Sequence, residues 1–266
     1  MLGLNINQYD ETIRNVPSDD SYPMVSILFT KNGEIGVNSL SLTILGLIDK
    51  DQIRCDFDLQ DSYEVGKKLT PQDMEVMKRI TLRITNNGEL KTSESLAINL
   101  LKNMNKNKKF NLKSMAKQSN KSSIANKFEK DLNEFVKALK NENGFDGKNY
   151  DDILQDGKLT TKGKELKKDW NNFRDYLKSK KLTEKYPPGS VLENSSQIIY
   201  ASCFGIERDA LKLRENNSSL TNFIDKDGYK LLNIIFNNAL LNVSEKRKGN
   251  GIFYGVNDKY TIPGGG

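Results

Sequence analysis

The sequence predicts an α+β fold, mainly α, and three observations carry that prediction. Apolar and polar residues alternate at Ile53 to Leu59 and again at Ile80 to Ile84, the period of a half-buried strand. Apolar residues recur at helical spacing through much of the remaining 266-residue chain. The order helix, helix, strand, excursion, strand is that of a winged-helix unit, and it partly repeats. The expected architecture is therefore tandem winged-helix-like units followed by a helical C-terminal subdomain. The boundaries fall at 1–21 for a polar leader or linker, 22–91 for the first unit, 92–165 for the second, 166–245 for the helical part and 246–266 for a Gly-containing tail.

In the first unit, order is expected to begin near Tyr22-Pro23, after the polar residues ending in Asp19-Asp20. Met24 to Phe29 is a short apolar run. Asn38 is placed as the cap of a helix whose Leu40, Ile44, Leu47 and Ile48 share one face and which ends near Asp49-Lys50. Ile53, Cys55, Phe57 and Leu59 alternate with Arg54, Asp56 and Asp58. After a turn-rich excursion, Thr70-Pro71 opens a short helix with proline at its first position. The strand Ile80 to Ile84 then runs into the turn Asn86-Asn87-Gly88.

The second unit begins with a helix over Ser93 to Met104 and a short element at Phe110 to Met115. A long helix from about Ser123 to Asn141 follows, with Ile124, Phe128, Leu132, Phe135, Val136 and Leu139 in one stripe and Lys127, Lys130 and Lys137 off it. Asn143 to Gly157 reads as a loop or wing, and Leu159-Thr-Thr-Lys-Gly163 enters another helix. There Leu166, Trp170, Phe173 and Leu177 make a narrow seam suited to packing on a second helix. Tyr186-Pro-Pro-Gly189 breaks the pattern. A helix from about Glu193 to Phe204 ends at Gly205, which suits the left-handed C-terminal position. A short amphipathic piece at Ile206 to Leu213, an apolar helix around Tyr229 to Val243 and a loosely ordered tail complete the chain.

Composition narrows the chemistry. The chain has no histidine, which removes Ser-His-Asp and Cys-His activation, histidine-based zinc sites and the usual proton shuttle near neutral pH. Its two cysteines, Cys55 and Cys203, lie in apolar stretches and read as buried thiols in a reducing compartment. No stretch approaches the roughly 20 apolar residues that span a bilayer, and the start lacks the pattern of a signal peptide. The chain as it stands reads as soluble. The net charge of +6 is concentrated: Lys102 to Lys130 carries nine lysines against Glu129 alone, a local +8. Such a run is usually a solvated helix face, yet its field attracts nucleic acid or anionic lipid.

Individual motifs give little chemistry. Aligning Gly228 of Asp225-Lys-Asp227-Gly228 with the sixth position of a calcium loop puts Phe223 first and Ile234 twelfth, where neither ligates. Asp152, Asp156 and Gly157 fail in the same way, and both stretches read as polar turns. Ser114-Met-Ala-Lys117 has the spacing of a serine–lysine acyl enzyme without its companion motifs. No phosphate-binding Gly-rich loop is present. In the cluster Asp49, Asp51, Asp56, Asp58 and Asp61, strand alternation puts Asp56 and Asp58 on a solvated face. Trp170 and Phe173, like Tyr200 and Cys203, read as core rather than as a ligand platform. No catalytic, cofactor-binding or metal-ligating residue is expected. The expected polyanion contacts are Lys113, Lys117, Lys121 and Lys127.

Several stretches together resemble the C-terminal region of the YciQ-like predicted membrane proteins, a family of unknown function. They are Tyr22-Pro23, the helix Leu40 to Ile48 leading into Ile53 to Phe57, Leu159-Thr160 with Gly163, then Trp170, Phe173, Tyr176 and Leu177, Tyr200-Ala201 with Phe204-Gly205-Ile206, and Pro263-Gly-Gly-Gly266. The likeness runs from about residue 22 to the end. It implies the cytosolic portion of a longer protein with an extracytoplasmic domain and membrane helices, held at the cytoplasmic face of the membrane. The expected role is a non-enzymatic interaction module with a protein partner, without cofactor or small-molecule substrate. The alternative is electrostatic binding of nucleic acid or an anionic membrane surface through Lys102 to Lys130, which contains no arginine for base reading.

Overall fold

The computed structural model describes residues 17, 20–58, 65, 70–85, 88–105, 107–145, 147–180, 195–207 and 219–249. It is mainly helical with two small antiparallel sheets. Helix α1 (Tyr22–Ile27) leads through a short 3-10 turn into α2 (Val37–Asp49). Eleven residues of α2 are buried, its serines and threonine among them, so it is enclosed rather than amphipathic. The helix starts one residue before Asn38, with extended Gly36 at the cap position and no side-chain cap. Asn38 instead accepts the Tyr229 hydroxyl, a tertiary contact that removes it from the capping role.

Strand β1 (Ile53–Phe57) pairs antiparallel with β2 (Ile80–Ile84), and β2 with β3 (Lys109–Asn111). Cys55, Leu82 and Phe110 lie in register across the three strands and are all buried. Asp56 is exposed on the opposite face, as alternation requires, and Asp58 just beyond the strand is exposed too. Between β1 and β2, α3 (Pro71–Arg79) has proline in its first turn. Thr70 and Asp73 form its capping box, with the Asp73 amide donating to Thr70 Oγ1 at 3.2 Å. The segment expected as one short element at Phe110 to Met115 is a strand and then a helix. The strand β3 bridges the boundary expected at 91/92.

Helices α4 (Thr92–Asn105), α5 (Leu112–Ser119) and α6 (Ser122–Asn141) follow. The first and third run antiparallel, tied at one end by Ser93 donating to Glu142 from its amide (2.7 Å) and hydroxyl (2.8 Å). At the other end Asn103 Nδ2 donates to Asp131 Oδ2 at 2.7 Å. A one-turn helix α7 (Tyr150–Ile153) precedes the hairpin of β4 (Leu154–Gln155) and β5 (Lys158–Leu159). Its two-residue turn, Asp156-Gly157, has both φ angles positive, the geometry that favours an Asp-Gly pair.

The long seam lies on α8 (Thr161–Lys180), where Trp170, Phe173 and Leu177 are buried. Helix α9 (Ser195–Cys203) ends before Gly205, whose φ of 69° is left-handed as expected. A helix not foreseen from the sequence, α10 (Ser219–Asp225), precedes α11 (Gly228–Gly249). The amphipathic piece expected at Ile206 to Leu213 lies largely outside the described residues, as does the tail beyond Gly249.

One apolar cluster runs from Met24 to Ala239. Helix α11 packs on α2, α5 and α6, while α9 and α10 also cover α2. The rings of Phe128 on α6 and Phe236 on α11 stack at 5.4 Å. Helices late in the chain thus complete the core built by the early ones.

Candidate functional site

The four lysines expected to contact a polyanion differ in exposure and in partners. Lys113 is half-buried, with its Nζ 2.6 Å from Glu75 Oε1 on α3. Lys117 lies four residues on along α5 and is exposed, as is Lys121 at the α5–α6 turn. Lys127 is exposed on α6 and donates to Asn103 Oδ1 at 2.9 Å.

A second grouping comes from the phase of α6. Its buried side carries Phe128, Leu132, Phe135 and Leu139, which face α4 and α11. The opposite side carries exposed Ser123, Asn126, Lys127, Lys130, Asn133, Glu134, Lys137 and Lys140. Their spacings of three and four residues hold them on one face. Lys130 and Lys137 are two turns apart, about 10 Å along the axis. Lys140 reaches over the ring of Tyr150, 4.5 Å from its centroid. Counting lysine density along the chain misses this row, because Lys137 and Lys140 lie beyond the Lys102 to Lys130 stretch. Helical phase sets Lys127, Lys130 and Lys137 off the apolar stripe, and the structure adds Lys140 to them.

A cleft opens on the other side of the sheet, with a volume of about 500 Å³. It is lined by Asp56, Phe57, Asp58, Glu75, Lys78, Arg79 and Thr81, from β1, α3 and β2. Two of its carboxylates face cations: Glu75 meets Lys113, and Asp56 Oδ2 is 3.3 Å from the Arg83 guanidinium. The hydrogen bond from Lys113, with its charge, holds Glu75 below the usual carboxylate range. Nearby, Arg54 does the same to Asp51. A carboxylate acting as general acid needs the opposite shift.

Elsewhere the shifted groups are neutral ones, buried or half-buried. Burial pushes the Cys203 thiol and the Tyr229 hydroxyl well up, and raises Tyr150. Cys203 Sγ lies 3.2 Å from the Tyr22 carbonyl oxygen within the core. Ser114, singled out beside Lys117, donates its hydroxyl to the Asn111 carbonyl at 2.8 Å, an ordinary helix-start contact. Asp227, read as part of a polar turn, is buried at the α10–α11 junction and accepts the Val65 amide. Lys230 donates to the Val65 carbonyl, so two side chains grip both main-chain groups of one residue. Among the described residues, no group of three or more cysteines, aspartates and glutamates is arranged to hold a metal ion.

The fold and these charged faces define a mainly helical α+β body without a recognisable reaction centre among the described residues. Residues 9–155 match the C-terminal domain family of a predicted membrane protein, a domain of unknown function numbered 2207. This match spans more than half of the chain, and the chain belongs to that family. The YciQ-like resemblance is compatible with it, although the match ends before Trp170 and Tyr200. No curated protein and no solved structure shows a significant match. No described helix is long and apolar enough to cross a membrane.

Proposed function

We propose that this chain is a non-enzymatic interaction module of a membrane-anchored protein, facing the cytoplasm and docking a protein partner at the cleft between β1, α3 and β2. The observation that carries this reading is the pairing of charges around the cleft: Lys113 meets Glu75 and lowers its pKa, and Arg83 meets Asp56. Paired charges of both signs around a half-buried aromatic, Phe57, suit the polar rim and small apolar centre of a transient protein interface. A photoreactive residue introduced at Lys78 in the full-length membrane protein tests it. The expected result is a discrete protein adduct that the same probe at Lys168, exposed on α8, does not give. No adduct at Lys78, or the same adducts at both positions, contradicts docking at the cleft.

The α6 row favours a second reading, electrostatic contact with a polyanion. The lysines expected from sequence, Lys113, Lys117, Lys121 and Lys127, enter it unequally, because Lys113 is already paired with Glu75.

A further inference from the structure

We propose that the outward face of α6, through Lys127, Lys130, Lys137 and Lys140, rests on an anionic phospholipid surface. This deepens the electrostatic reading above and stands apart from docking at the cleft. Three observations select this face and this occupant. First, the four lysines share one side of a 20-residue helix whose other side is buried, so the core fixes their direction. Glu134 is the one fully exposed acidic residue among them, leaving an excess of three positive charges on the outward face, while Glu129 and Asp131 are half-buried at its flanks, Asp131 accepting from Asn103.

Second, the face carries neither arginine nor an exposed aromatic residue; asparagine and serine fill the positions between. Base reading in a groove favours arginine forks, and single-stranded binding favours stacking rings. Ammonium groups on flexible stems suit a planar layer of headgroups, where no register is required. Third, the chain belongs to a membrane-protein family. A region held beside a bilayer meets its headgroups at high effective concentration, so a modest charge excess gives substantial occupancy.

The test is co-sedimentation of the intact chain with vesicles of phosphatidylcholine alone or mixed with phosphatidylserine, at low and at physiological ionic strength. Binding is expected to the mixed vesicles only, weakening with salt. Lys130→Glu with Lys137→Glu, at exposed positions, is expected to lower that binding at least about tenfold while circular dichroism stays unchanged. An equal or larger loss from Lys117→Glu with Lys121→Glu overturns the assignment to α6. So does absence of binding to mixed vesicles, or retention of a short DNA duplex at salt where those vesicles no longer bind. Photo-crosslinking at Lys78 is expected to survive the α6 substitutions, so the two proposals fail separately.

Discussion

The indole N–H of Trp170 donates to Asp20 Oδ2 at 2.9 Å, joining α8 to a residue just ahead of α1, 150 residues earlier. Tyr200 on α9 closes the same knot by donating its hydroxyl to the Asp20 carbonyl at 2.7 Å. The Trp170 and Tyr200 rings lie 4.6 Å apart, and Tyr22 meets Tyr200 edge-on at 4.9 Å. Asp20 is 2% exposed, so the leader expected to end at residue 21 contributes a buried residue. Trp170→Phe keeps an aromatic ring and removes the donor to a buried oxygen. The expected loss is about 1–3 kcal/mol in urea denaturation followed by circular dichroism. A change indistinguishable from zero would show that the bond adds nothing.

Gly163 begins the seam helix under a steric restriction. A Cβ at this position would lie 2.3 Å from the Ile153 carbonyl oxygen, which also accepts the Thr160 amide at 3.0 Å. Gly163→Ala is therefore expected to destabilise by about 1–3 kcal/mol, against the usual gain from replacing glycine in a helix. Thermal melting of the variant reads the sign.

Glu75 offers a pH test. Its folded pKa is depressed by Lys113, so the pair's contribution is present above the unfolded carboxylate pKa and is lost as pH falls through the folded value. The glutamate is exposed, and the effect on stability is small. Titration of the Glu75 carboxyl by NMR is expected to shift upward in Lys113→Gln. An unchanged midpoint would mean that the two groups do not meet in solution.

The stacked pair Phe128 and Phe236 joins the matched region to the last described helix. A double-mutant cycle with leucine at each position is expected to give a coupling of about 0.5–1.5 kcal/mol. Strict additivity would place the two rings apart.

Legibility in the sequence followed the range of the interactions involved. The Thr70-Pro71 start of α3, the alternation in β1 and β2 and the stripe of α6 are set by neighbours within a few residues, and each is visible in the residue pattern. Trp170 and Phe173 were readable as core from spacing alone, and they are fully buried. Asn38 was misplaced as a cap because its partner, Tyr229, is 191 residues away. The pairing of β3 with β2 depends on contacts that no local period encodes. Asp156-Gly157 carried a hairpin signal that a broad assignment to loop or wing left unused. Three lysines of the α6 face, Lys127, Lys130 and Lys137, are legible as lying off the apolar stripe, whereas the expected contacts follow lysine density, which is a different property from direction around a helix.

Helices α8, α9 and α11 share one core with the region matched by the family. The fragment 1–155 should then fail to unfold cooperatively, since α2 would lose the helices that cover it.

The intact chain gives the most direct measurement, because Trp170 is its single tryptophan and reports on the packing of α8 against α9 and Asp20. In a urea titration, Trp170 fluorescence is to be compared with hydrogen-exchange protection of the β2 amides at Leu82 and Ile84. With a shared core, both are expected to vanish at one denaturant midpoint. Two separated midpoints, with β2 protected after Trp170 is exposed or the reverse, would contradict a shared core.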